Sequence, residues 1–81
     1  MIEVRNEILK YERIRNLRID NDYSQQEIAK LLNISQNTYS QYETGMLSYP
    51  LDAVRKLALF YNTSIDYLVG LTDNPKPYKR K

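Results

Sequence analysis

The chain has 81 residues, with 12 Lys and Arg against 10 Asp and Glu, for a formal net charge of +2. Such a length argues for one small domain with a limited core. With no cysteine and no histidine, it lacks the means for a disulfide framework, a Cys- or His-based metal site, a thiol nucleophile or the commonest general base.

The N-terminal "MIEVRNEILK" mixes charged and apolar residues and has no secretory core. The longest apolar run, "LALFY", is far too short to span a membrane. A cytoplasmic location with no membrane partner is the simplest expectation. Continuous β-alternation is missing, so helix is the default. Residues 1–10 read as an extension leading into helix 1, residues 11–73 as the folded domain, and residues 74–81 as a basic, flexible tail.

Helix 1 is expected from about Asn6, a good N-cap residue, to about Asp20. Tyr11, Ile14 and Leu17 recur at helical spacing and give it one apolar stripe. "DND" at 20–22 breaks it, because Asp and Asn side chains compete for backbone groups. Ser24 opens helix 2, and Glu27 three residues on completes a capping box. Ile28, Ala29 and Leu32 form its inner face. Asn33 follows where the chain must turn sharply, and Asn tolerates the left-handed conformation such a turn needs. Ser35 caps helix 3, which ends near Glu43, with Tyr39 and Tyr42 facing inward. Gly45 suits the left-handed stop after it.

Helix 4 is expected from about Pro50, with Leu51, Val54, Leu57, Ala58 and Tyr61 on its apolar side. "YNTS" ends it. Thr63 with Asp66, or Ser64 alone, caps a short helix 5 bearing Ile65 and Leu68, and Gly70 ends that helix. The expected fold class is all-α, a compact arrangement of five helices.

Helix, tight turn, helix, with polar amides leading the second helix, is the layout of a helix-turn-helix DNA reader. The stretch "RIRNLRIDNDYSQQEIAKLLNISQNTYSQYETGMLSYPLDAVRKLALFYNTSIDYLVGLTD" resembles the phage-repressor and Cro-type (XRE) helix-turn-helix family of bacterial regulators. The resemblance runs from about residue 13 to 73. It rests on Arg18, "SQQEIA", "ISQNTYSQYETG", Pro50 and "SIDYLVG", in order and at consistent spacing. It implies a lambda-repressor-like domain whose helix-turn-helix is formed by helices 2 and 3. It also implies sequence-specific binding of double-stranded operator DNA, palindromic and met by a homodimer, with repression the expected outcome.

Residue by residue, Gln36, Asn37, Ser40 and Gln41 lie outward of the Tyr39/Tyr42 face and are the expected base-contacting set. Asn and Gln present a donor beside an acceptor, which suits adenine N6 and N7 in the major groove. In the resembled family, the positions of Gln36, Asn37 and Gln41 reach base edges, and that of Gln25 braces a phosphate or a neighbouring base. Arg18 and Glu43 match a paired Arg and Glu that tie helix 1 to the end of helix 3. No Lys or Arg lies between Leu31 and Val54, where many relatives carry a cation in the loop after helix 3. Phosphate contacts are therefore expected from Gln25, Arg13 and Lys30, from the hydroxyls of Thr44, Ser48 and Tyr49, and from backbone N–H groups. The "KPYKRK" tail reads equally as a solvated terminus or a phosphate-contacting arm.

Two other functional classes compete with this reading. The same fold serves antitoxins and protein-interaction modules, and eight tyrosines would suit an interface with a protein partner. An enzyme is disfavoured by the lack of His, Cys and suitably spaced carboxylates, and no cofactor or metal is expected. Eighty-one residues leave no room for an effector domain, so regulation is expected through abundance, a partner or proteolysis.

Overall fold

The computed structural model describes residues 11–77. Five helices follow one another: α1 (Glu12–Asp20), α2 (Gln25–Leu31), α3 (Gln36–Thr44), α4 (Leu51–Phe60) and α5 (Ile65–Leu68). No strand occurs among the described residues. The helix starts follow from their caps. Ser24 accepts from the Glu27 amide while the Glu27 carboxylate accepts from the Ser24 amide. Ser35 accepts from the Thr38 amide, and Ser64, rather than Thr63, accepts from the Tyr67 amide. Each cap satisfies a helix N–H that has no partner within the helix.

Four of the five helices end alike. Asp22, Asn33, Asn62 and Gly70 sit in the left-handed region, at φ 61°, 59°, 55° and 85°. The residue after each donates its N–H five residues back: Tyr23 to Arg18, Ile34 to Ala29, Thr63 to Ala58 and Leu71 to Asp66. This is the Schellman closure, which satisfies the last carbonyls of a helix. The α3 end differs: Gly45, at φ 85°, is its C-cap.

The core gathers Ile14, Ile28, Ala29, Tyr39, Tyr42, Tyr49, Val54, Leu57, Ala58 and Leu68. α2 packs most extensively on α3, while α1 touches both α3 and α5. α3 is thus held from behind by α2 and at its C-terminal end by α1.

Several expectations need correction. α1 begins at Glu12, with Tyr11 outside it at φ −91°, ψ 80°. The Tyr11 ring instead packs on Tyr49, with centroids 6.0 Å apart, and the expected start at Asn6 lies outside the described residues. Leu51 is 72% exposed and does not join the inner face of α4; as the first helical residue, it precedes the turns that meet the core. The segment after α5 is tied down further than residue 73. Thr63 Oγ1 donates to the Pro75 carbonyl at 2.6 Å, and Arg13 donates to the Thr72 carbonyl and Asp73. The rest of the expected tail, residues 78–81, lies outside the described residues.

Candidate nucleic-acid interface

α3 presents the polar amides. Gln36 and Asn37 are exposed on its first turn, and Ser40 and Gln41 are half-buried on the next. None of these four side chains hydrogen-bonds to another described residue, so their donors and acceptors remain available to a ligand. The side opposite is locked, since Tyr39 is fully buried and Tyr42 nearly so.

The C-terminal end of α3 is fixed by a polar cluster. Arg18 Nε donates to Glu43 Oε2 at 2.7 Å and Arg18 Nη2 donates to Glu43 Oε1 at 3.1 Å. This is a two-pronged fork of the kind a planar guanidinium forms best with a carboxylate. The remaining prong, Nη1, donates to the Tyr23 carbonyl at 2.9 Å. Gln25 Nε2 donates to Glu43 Oε1 at 2.9 Å. The Glu43 side chain is only 4% exposed. Burial opposes its charge, but the hydrogen bonds from Arg18 and Gln25, the nearby Tyr39 hydroxyl and the Arg18 charge hold its carboxyl below the ordinary value. The hydrogen bond to Glu43 raises Arg18 in turn, against the effect of burial. One cluster therefore ties α1, α2 and α3 together directly beneath the amide-bearing helix.

The expected phosphate set divides. Lys30 is exposed and shares a hollow with Gln26, Asn33, Ser35 and Gln36, beside the start of α3. Ser48 is exposed in the loop after α3. Thr44 is exposed too, but its hydroxyl donates to its own Gln41 carbonyl at 3.2 Å. Gln25 is half-buried with one amide hydrogen committed to Glu43, which leaves it a second.

Arg13 and Tyr49 leave the set. The Arg13 guanidinium lies 4.4 Å from the Tyr67 ring centroid, donates to the Tyr67 carbonyl at 3.0 Å, and pairs with Asp73. Its charge serves the C-terminal segment. Tyr49 is buried against Tyr11, Tyr39 and Tyr42, its ring centroid 5.0 Å from that of Tyr42. Its hydroxyl is buried and has no hydrogen-bond partner among the described residues, as is true of Tyr39 and Tyr61. Burial raises all three phenols, Tyr61 to about 12. Removing an unpaired buried hydroxyl forfeits no bond. Tyr49→Phe should therefore keep the melting temperature within the shift of about 0.5 kcal/mol typical of a neutral change, with DNA affinity unchanged. A clear loss of affinity by titration would return Tyr49 to the contact set.

One residue outside the expected set lies at the surface in question. Exposed Arg15 lines a hollow of about 270 Å³ with Glu12, Gln25, Glu43 and Thr44. Its position was legible. At about 100° per residue, Arg15 sits about 60° around α1 from Arg18 and about 160° from Arg13. The side of α1 that meets α3 therefore carries Arg15, and the far side carries Arg13.

Among the described residues no helix is long and apolar enough to cross a membrane, and no group of three His, Cys, Asp or Glu could hold a metal. Comparison with known proteins adds a lineage. The chain is 36% identical over 66 residues to YobD, an uncharacterized HTH-type transcriptional regulator of Bacillus subtilis (strain 168), covering 82% of this chain and 59% of that protein. It is 44% identical over 58 residues to RstR, the cryptic phage CTXphi transcriptional repressor of Vibrio cholerae, covering 72% and 52%. It is 39% identical over 59 residues to ImmR, an HTH-type transcriptional regulator of Bacillus subtilis (strain 168), covering 73% and 46%. The chain thus spans about half the length of these curated relatives. No solved structure matches it. The family model described as "Helix-turn-helix" matches residues 14–68, from the first core residue of α1 to the last of α5, and the chain belongs to that helix-turn-helix family, in its phage-repressor and Cro-type branch.

Proposed function

We propose that the chain binds double-stranded DNA sequence-specifically as a transcriptional regulator, acting as a repressor in the cytoplasm. The observation that carries this reading is the first turn of α3. Gln36 and Asn37 are exposed and uncommitted there, on a helix whose opposite side is buried and whose far end is fixed by Arg18, Glu43 and Gln25. A major groove about 12 Å wide admits one helix, and its N-terminal residues meet base edges. Selection from random duplex DNA tests this directly. A recovered palindrome is the expected result, and no enrichment over starting DNA would exclude specific reading.

One such helix reads only about 4–6 base pairs, too few to single out a site in a genome. Two copies with half-site centres about 10 base pairs apart supply the remainder. The apolar residues around α5 are the surface this reading assigns to the contact between the two copies. Ile65, Tyr67 and Val69 are half-buried against the core, and Leu71 is 77% exposed. A homodimer on the operator places Leu71 at or near the contact. Sedimentation of the chain on its selected operator should give two chains per duplex. A stable one-to-one complex would exclude the dimer.

A further inference from the structure

We propose that the hollow between α1, α2 and α3 seats one DNA backbone phosphate, with Arg15 as its cation and Glu12 as a built-in restraint on the affinity. The inference rests on the DNA-binding reading above; Gln25 is already an expected phosphate contact, and what is added is its cation, Arg15, and the opposing charge of Glu12, which line the same hollow and which the motif does not single out.

α1 carries three arginines, and they differ in what they are bound to. Arg18 is consumed by Glu43 and the Tyr23 carbonyl, and Arg13 by Tyr67, Thr72 and Asp73. Arg15 is exposed and pairs with no other described residue. It is therefore the one α1 cation whose donors are open, and it lies beside Gln25 and Thr44 at the rim of α3.

Gln25 lies on the same hollow. A carboxylate only accepts, so the Gln25 amide must turn its nitrogen toward Glu43. That fixes the side chain and leaves one N–H pointing elsewhere. A ligand meeting both that N–H and the Arg15 fork must be an acceptor, and an anionic phosphate oxygen is the kind that a guanidinium binds most strongly. Thr44 cannot replace either group while its hydroxyl proton serves the Gln41 carbonyl.

The hollow also carries opposing charge. Glu43 is balanced by Arg18, so it adds little net field to the hollow. Glu12 is exposed on the same wall, and no ion pair with another described residue offsets it. It repels a phosphate there, so the site is weaker than its cation alone would make it. This matters because the chain lacks any Lys or Arg from Leu31 to Val54, which makes each remaining phosphate contact a large share of the total.

The experiment measures affinity for the selected operator and for unrelated duplex across a salt series, with the full chain and three variants. Arg15→Gln should weaken binding to both DNAs by similar factors. It should also flatten the log–log salt slope by about 0.9 per phosphate, so about 1.8 per dimer. Arg15→Lys should restore the slope. Glu12→Gln should tighten binding severalfold at low salt, with the gain shrinking as salt rises. Methylphosphonate placed at single backbone positions should erase the Arg15→Gln effect at one phosphate per half-site. All three variants are at exposed positions, and unchanged melting curves would confirm that they fold. Unchanged affinity and slope in Arg15→Gln and Glu12→Gln, with operator preference intact, would overturn the phosphate seat and leave DNA reading standing. Failure of the unaltered chain to bind any duplex would overturn both.

Discussion

Glu43→Gln should destabilise the fold by about 2–4 kcal/mol, the size expected when one partner of a buried ion pair is neutralised and the other is left behind. For a domain of this size that is a fall in melting temperature on the order of 10 °C or more. The cause is specific. Glu43 and Arg18 have side chains only 4% and 13% exposed, and the carboxylate accepts from both Arg18 and Gln25. A neutral amide cannot accept the whole Arg18 fork, so a guanidinium is left under-compensated where water reaches it poorly. Asp20→Asn, at an exposed carboxylate ending α1, is the control and should melt within about 0.5 kcal/mol of the parent. Equal melting temperatures for the two variants would mean that the cluster holds nothing together.

The same carboxylate sets an acid limit. Its folded pKa lies below the ordinary 4.5. A depressed pKa means the unfolded state binds the proton more readily, so this contribution is complete above about 4.5 and is lost as the pH falls through the folded value. Melting temperature should therefore decline on acidification below that point, and the decline should be shallower in Glu43→Gln. Parallel acid profiles would place the acid-sensitive group elsewhere.

The other large effect falls on recognition. Gln36→Ala or Gln41→Ala should cost about 1–3 kcal/mol of operator binding and relax the preference at individual base pairs. Binding to unrelated DNA should change little, because phosphate contacts supply most of that affinity. Gln36 is fully outside the core, and its loss should be nearly silent in stability. Gln41 is half-buried and precedes the core residue Tyr42, so its truncation should show a small loss of stability beside the loss of discrimination. Unaltered discrimination in both variants would remove α3 as the reading helix.

What could be read from the chain was local. Capping at Ser24, Ser35 and Ser64, the left-handed Asn33 and Gly45, and the inward Tyr39 and Tyr42 all follow from spacing within a dozen residues. The missed features depend on distant partners. Arg13 is spent on groups 54 to 60 residues away, which no periodicity announces. Tyr49 sits in the polar-looking "TGMLSYP", and only the convergence of Tyr11, Tyr39 and Tyr42 shows it to be core. The reading of Gln25 as a phosphate brace stands beside a second role: the amide hydrogen it gives to Glu43 becomes visible only when the ends of α2 and α3 meet.

The four matching helix ends bear on the unfolded chain as well as the folded one. Three of the four left-handed corners are filled by Asp or Asn instead of glycine. Each asks its residue to hold a conformation that glycine would hold with less strain. In return, the denatured ensemble has fewer backbone states at those points, so less conformational entropy is surrendered when the corners form. The corner at Asn33, between α2 and α3, is one of them. A junction built this way has little freedom to hinge, so the two helices should meet a duplex as one preassembled body, and little ordering entropy would be charged against binding there.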